Sequence, residues 1–201
     1  MLPLARTRKV LARVAFVIWV PALLLTGSLL LGRHLLGLPT PGKRDWALTQ
    51  DVARARGPDD QGNWLALHIL FAHCGCSQQV LDTLLARHAS PQMAERIVLV
   101  AADDAKLGDQ ARALGYEFET MSTEELAVRY HSEAAPLLVV ADPGGRLRYV
   151  GGYTDRKRSP LVRTDELLNG ALAGSEPQPL PVFGCAVSAK LQRQTNPFGL
   201  L

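Results

Sequence analysis

At 201 residues, 47% hydrophobic and 20% charged, the chain has a globular composition, long enough for one domain and an appendage. Its net charge of +3 is unevenly spread: seven of the 22 Lys/Arg fall in residues 1–44, which hold no acid, leaving 15 basic against 19 acidic residues. A body of net charge −4 lacks the clustered basic face of a nucleic-acid binder, and three cysteines are too few for a disulfide framework.

Residues 1–13 form a basic segment with Arg6, Arg8, Lys9 and Arg13. An uncharged run over 14–32, "VAFVIWVPALLLTGSLLLG", follows. At about 1.5 Å per residue it reaches about 28 Å, close to the roughly 30 Å of a hydrocarbon core. The run is longer than the apolar part of a secretory signal and has no clear small-x-small cleavage site, so it reads as a transmembrane helix. Pro21 within it is tolerated in a membrane span. Four basic residues precede the run and three (Arg33, Lys43, Arg44) follow it. That bias predicts a cytoplasmic N-terminus and an extracytoplasmic (periplasmic) body. Residues 33–45 are a linker of glycine, proline and charge.

The body, 46–174, alternates strands with helices. A short helical piece and turn cover 51–62. The apolar run 63–72, "NWLALHILFA", suits a buried strand. After Ser77, Val80, Leu81, Leu84 and Leu85 recur at helical spacing. A second buried strand covers 95–102, and a helix closed by glycine covers 103–115. Residues 122–131 open on a capping-box pattern and continue as a helix. Residues 135–142 and 146–154 are strands joined by a hairpin turn at Asp142–Gly145. A last helix is expected over 159–174, with Pro160 near its start and Gly174 after its end. Residues 175–201 are a proline-rich extension carrying Cys185, with one more short helix after it. The order β, α, β, α, α, β, β, α predicts an α/β fold: a mixed sheet flanked by helices and preceded by one transmembrane helix.

Two cysteines stand one residue apart where the first strand gives way to a helix: "LHILFAHCGCS". The thiolate is both nucleophile and metal ligand. A helix start offers unpaired N–H groups and a positive dipole end that stabilise it, and a protonated His73 adds to this. Cys185, in "VFGCAVSAKLQ", again precedes a possible helix.

These residues, with "EAAPLLVVADPGGRLRYVGGY" downstream, resemble the thioredoxin superfamily over roughly 46–173. The resemblance implies a thioredoxin-like sheet and a cis bond before Pro136, at the strand beside the active site. It also implies that the backbone of Ala135 pairs with a bound substrate peptide. An anchor followed by such a domain looks like the membrane-tethered extracytoplasmic branch, which includes cytochrome-maturation and disulfide-reducing proteins. The family motif is Cys-x-x-Cys; here the residues are Cys74, Gly75, Cys76 and Ser77. With Cys74 in the first cysteine's place, Ser77 takes the second's. Counted from the strand end, Cys76 is first and Gln79 stands opposite the second. The former keeps Val80 and Leu84 on the inner helix face.

Three functions follow. The first is thiol–disulfide exchange on a protein partner. Cys74 is then the nucleophile, Cys76 the first candidate resolver and Cys185 the second. Gly75 allows a tight turn between the pair, and His73, Gly75, Ala135 and Pro136 shape the substrate groove. A Cys74–Cys76 bond closes a tight ring, and Cys185 offers a less strained alternative. The second is copper(I) binding by Cys74 and Cys76, completed by His73 or the more distant Cys185, loosely like the copper-delivering branch of the superfamily. The third is a non-catalytic thioredoxin-like scaffold. No organic cofactor is implied, because no glycine-rich phosphate loop is present. His68 lies near where the family keeps a buried acid for proton transfer; packed strand histidine is the plainer reading. Trp46 and Trp64 are expected to pack near the domain start. Tyr149 and Tyr153 are expected at a solvated hairpin end beside a basic turn.

Overall fold

A computed structural model describes residues 3–35 and 37–196. The chain divides into two units, Met1–Leu36 and Gly37–Leu201.

The first unit is one helix, α1 (Pro3–Leu35), with Pro21 inside it. Its apolar side chains are exposed around the helix: Phe16, Val17, Ile18, Trp19, Leu24 and Leu25 are all more than half exposed. Among the described residues no helix is long and apolar enough to cross a membrane.

The second unit is a layered α/β domain. Helix α2 (Trp46–Ala55) is capped by Asp45, whose side chain accepts from the Leu48 N–H. A 3₁₀ turn (Pro58–Asp60) leads into β1 (Trp64–Phe71). Then come α3 (Gly75–Leu85), β2 (Met93–Val100), α4 (Ala105–Ala113) and β3 (Glu117–Met121). Helix α5 (Thr123–Tyr130) opens on a capping box between Ser122 and Glu125. After it lie β4 (Ala134–Ala135), β5 (Leu137–Ala141), β6 (Leu147–Gly151) and α6 (Thr164–Leu172). The chain ends with β7 (Cys185–Ala186) and α7 (Ala189–Thr195).

The main sheet has the order β3-β2-β1-β5-β6. Strands β1, β2 and β3 are parallel, while β5 and β6 are antiparallel to their neighbours. Alternation along β1 sends Leu65, Leu67 and Ile69 to one face and Ala66 and Leu70 to the other. The first face is covered by α2, α5 and α7, and the second by α3, α4 and α6. The central strands are therefore buried on both sides, which is why they read as continuous apolar runs. A mixed sheet of this order with flanking helices is a thioredoxin-like architecture, and the Ala135–Pro136 bond is cis.

Several local expectations are corrected. Residues 117–121, not expected as a strand, form β3, because an edge position accepts "EFETM" with its outward charges. Helix α6 begins at Thr164 rather than 159, so Pro160 lies in the preceding loop. Trp46 is 72% exposed, whereas Trp64 packs against the second face. Tyr149 and Tyr153 are buried, not solvated. The proline-rich extension joins the domain: Val182, Val187 and Leu191 are buried in the first-face core.

Candidate active site

Strand β1 ends at Phe71, and the chain turns so that the Cys74 N–H donates to Phe71 O (3.1 Å). Cys74 is the N-cap of α3 in extended geometry, with no side-chain cap hydrogen bond. Ser77 is buried one turn on, and its Oγ accepts from the Phe71 N–H (3.0 Å). The hydroxyl thus ties the helix start to the strand end, at the position the first alignment assigns to the family's second cysteine.

Cys74 is bonded to Cys185, with Cα atoms 5.8 Å apart and a separation of 111 positions in sequence. Cys76, the first candidate resolver, is free and half-buried. It lines a small pocket with Gln79, Pro136, Tyr153, Ser159 and Phe183. The geometry therefore joins Cys74 to the more distant cysteine and leaves its near neighbour out of the bond. Spacing in sequence is a poor guide here, because the tertiary path brings β7 back to the helix start.

That path runs beside the cis-proline. Strand β7 pairs antiparallel with β4, matching Ala135 to Cys185 and Ala134 to Ala186. Cys74 Sγ lies 3.9 Å from Ala135 O. The backbone before Pro136, which the resemblance assigns to a substrate peptide, is thus paired with the chain's own segment. Gly184 makes the approach possible: a Cβ there would stand 1.9 Å from Ala135 O and 2.5 Å from Pro136 Cδ.

The remaining expected site residues lie differently. Gly75 is the first residue of α3, has no positive φ and has open space around its Cα. It is exposed and makes no tight turn, so the role assigned to it there is not supported by its geometry. His73 is exposed and sets its ring edge against Phe71, with centroids 5.6 Å apart. Among the described residues no group of three or more His, Cys, Asp or Glu is gathered to hold a metal ion. Cys74, a donor in the copper(I) set, is engaged with Cys185 in this state.

Sequence reasoning missed a buried polar cluster on the same sheet face as α3. His68 is fully buried, with Nε2 2.9 Å from Glu95 Oε2 and Nδ1 2.9 Å from the Tyr153 hydroxyl. Arg87 grips both Glu95 oxygens, at 3.0 and 2.6 Å, and the Ser90 N–H donates to Oε1 (2.6 Å). Burial alone would raise the Glu95 carboxyl. The hydrogen bonds from His68 and Arg87, with that of Ser90, outweigh it and hold the group at about 2. An ionised Glu95 only accepts, so Nε2 of His68 donates to it; in the neutral ring Nδ1 then accepts from Tyr153. Burial pushes the Tyr153 hydroxyl well above its ordinary range, keeping it a donor. Tyr153 also lines the Cys76 pocket, which links this cluster to the site. The available signal was a polar residue set in an apolar strand: His68 in "LHILF", and Glu95 at the head of "ERIVLV".

No family model and no curated protein matches the chain. Among solved structures, an uncharacterized conserved protein from Geobacillus kaustophilus is similar at 20% identity, covering 64% of this chain and 78% of that one, with TM-score 0.48. The thioredoxin domain of a thiol-disulfide oxidoreductase from Bacteroides vulgatus is similar at 14% identity, covering 58% and 81%, with TM-score 0.39. A secreted Mycobacterium tuberculosis disulfide oxidoreductase is similar at 17% identity, covering 57% and 84%, with TM-score 0.39. Identity and score are low in each; the sheet order β3-β2-β1-β5-β6 with helices on both faces is what makes the domain thioredoxin-like in architecture.

Proposed function

We propose that this chain is a thiol–disulfide oxidoreductase acting on protein partners outside the cytoplasm, tethered to a membrane by α1, with Cys74 and Cys185 as its redox pair. The observation that carries the reading is the Cys74–Cys185 bond at the start of α3, beside the cis-proline. A cysteine at a helix N-terminus is stabilised as its thiolate, so the reduced form of such a pair is poised for exchange. Support for the tether is the uncharged run of α1, whose exposed apolar side chains have the character of a lipid-facing surface. The basic excess before the run favours an extracytoplasmic domain, a compartment in which disulfides persist.

The test is a redox titration of the full chain in detergent micelles, with differential alkylation and peptide mapping at each step. A reversible two-electron bond between Cys74 and Cys185 is the expected result. Thiols that stay free through oxidation overturn the reading. Stoichiometric copper(I) on the reduced chain, lost in both Cys74→Ser and Cys76→Ser, turns it toward metal binding. A cell-based function indifferent to Cys74→Ser and Cys185→Ser turns it toward a scaffold.

A further inference from the structure

The two cysteines of the Cys74–Cys185 bond are not equally exposed. Cys74 is only 2% exposed, set between the α3 N-terminus and Ala135 O. Cys185 retains partial exposure on β7. The rate of exchange depends on which sulfur can be reached and on how well the other leaves.

The strip beside Pro136 is not free to take a partner peptide as a strand, because β7 already holds it. This segment is fixed on both sides of Cys185. Upstream, Val182 is fully buried and its carbonyl accepts from the Leu38 N–H (2.8 Å). The Gly152 N–H likewise donates to Leu180 O (2.8 Å). Downstream, Val187 is buried and its N–H donates to Glu133 O (2.7 Å), and Leu191 anchors α7. Lifting the segment to uncover Cys74 would expose three core side chains and break these bonds together. Leaving it in place keeps Cys185 as the more exposed cysteine of the pair. Cys74 would at the same time depart at the start of α3, where the N–H groups of the first turn and the helix dipole face a departing thiolate.

We propose that Cys185 is the cysteine that exchanges with the partner, and that Cys74 is the buried thiolate that leaves; this rests on the redox reading above. The partner is a protein dithiol whose attacking cysteine stands on a protruding segment, since β7 leaves no room for strand pairing at the cis-proline. Its thiolate attacks Cys185 Sγ; the Cys74–Cys185 bond breaks and Cys74 leaves as a thiolate. The partner's second thiolate then attacks the partner sulfur of the mixed disulfide, and Cys185 leaves. Two electrons pass from the partner to this chain. One disulfide forms in the partner, Cys74 and Cys185 are left reduced, and the partner's two thiol protons pass to solvent or to the new thiols.

The experiment uses the full chain carrying Cys76→Ser, so that two sulfurs report, and the unsubstituted chain with Cys76 alkylated beforehand as a second form. Each is oxidised, and the Cys74–Cys185 bond is verified by peptide mass. Glutathione is added as the probe thiol for short times, followed by acid quench, low-pH alkylation and mapping of the adduct. The expected result is glutathione on Cys185 and label on Cys74, in excess over the reverse by on the order of tenfold or more. Adduct mainly on Cys74, or equal on both, overturns this proposal while leaving the redox pair intact. Absence of the Cys74–Cys185 bond at the first step overturns the redox reading itself, and this proposal with it.

Discussion

Alternate residues of β1 enter two differently made cores. On one face Leu65, Leu67 and Ile69 meet Leu48, Val52, Leu126 and the C-terminal anchors Val182, Val187 and Leu191. On the other, Ala66 and Leu70 flank His68, and with it the buried Glu95–Arg87–Tyr153 cluster behind α3. The first face holds by area removed from water, and it can lose a methylene by degrees. The second is apolar in most of its core, but it also encloses a polar cluster that holds only while every member has its partner. The first face fixes the segment that carries Cys185; the second supports the helix that carries Cys74. The Cys74–Cys185 bond therefore joins a segment seated by apolar burial to a helix whose face also encloses a polar cluster.

The contrast is broken most severely at Glu95. Glu95→Ala leaves Arg87 and His68 facing an empty carboxylate site, and breaking a buried ion pair in this way costs about 3–5 kcal/mol. Urea denaturation should show that loss, and a change under about 1 kcal/mol would mean the two faces do not differ as argued. Leu67→Ala on the apolar face should cost about 3 kcal/mol.

Acid separates the two further. Glu95 is held at about 2, below its ordinary 4.5. Its contribution is therefore complete above pH 4.5 and is lost as pH falls toward 2, on the order of 3 kcal/mol in all. Denaturation midpoints measured from pH 6 to pH 2 should show this limb in the wild type and in Leu67→Ala. It should be largely missing in Glu95→Gln, and an equally steep limb there would assign acid sensitivity elsewhere.

Gly184→Ala acts on the junction between the faces. The added Cβ would collide with Ala135 O at 1.9 Å, so β7 must lift from β4. A cost of about 1–3 kcal/mol is expected, together with a smaller fraction of Cys74–Cys185 bond at a given redox poise. An unaltered titration would show that the close approach of Gly184 is not what seats Cys185.

The strands that line the site were legible because each is buried on both faces, so β1, β2 and β5 stand out as apolar runs. The cysteine turn was legible because a helical period begins beside it. Strand β3 was not, since "EFETM" at a sheet edge keeps its polar side chains in water. The partner of Cys74 was left open for a different reason. Sequence ranks Cys76 first by nearness, but a helix that starts at Gly75 carries Cys76 away into its first turn, while β7 arrives from 111 residues downstream. Pairing at that range is a property of the packed chain, set by Val182 and Val187 finding the core, and no local pattern announces it.

The smallest effect is expected at Cys76, and it is the sharpest guide to how the site is divided. Cys76 is half-buried, outside the disulfide, on the α3 turn facing Gln79 and Tyr153. Serine is close in size and keeps a small polar group at the pocket, so Cys76→Ser should shift stability by no more than about 0.5 kcal/mol. If Cys74 and Cys185 form the working pair, the midpoint of their redox titration should also stay where it is. A large shift, or a Cys74–Cys76 bond recovered by mapping the wild type during partial reduction, would make Cys76 a relay between the buried thiolate and the pocket. The two neighbouring cysteines would then share the chemistry, and the apolar face's role in seating Cys185 would be only one of two ways to hold the oxidised state.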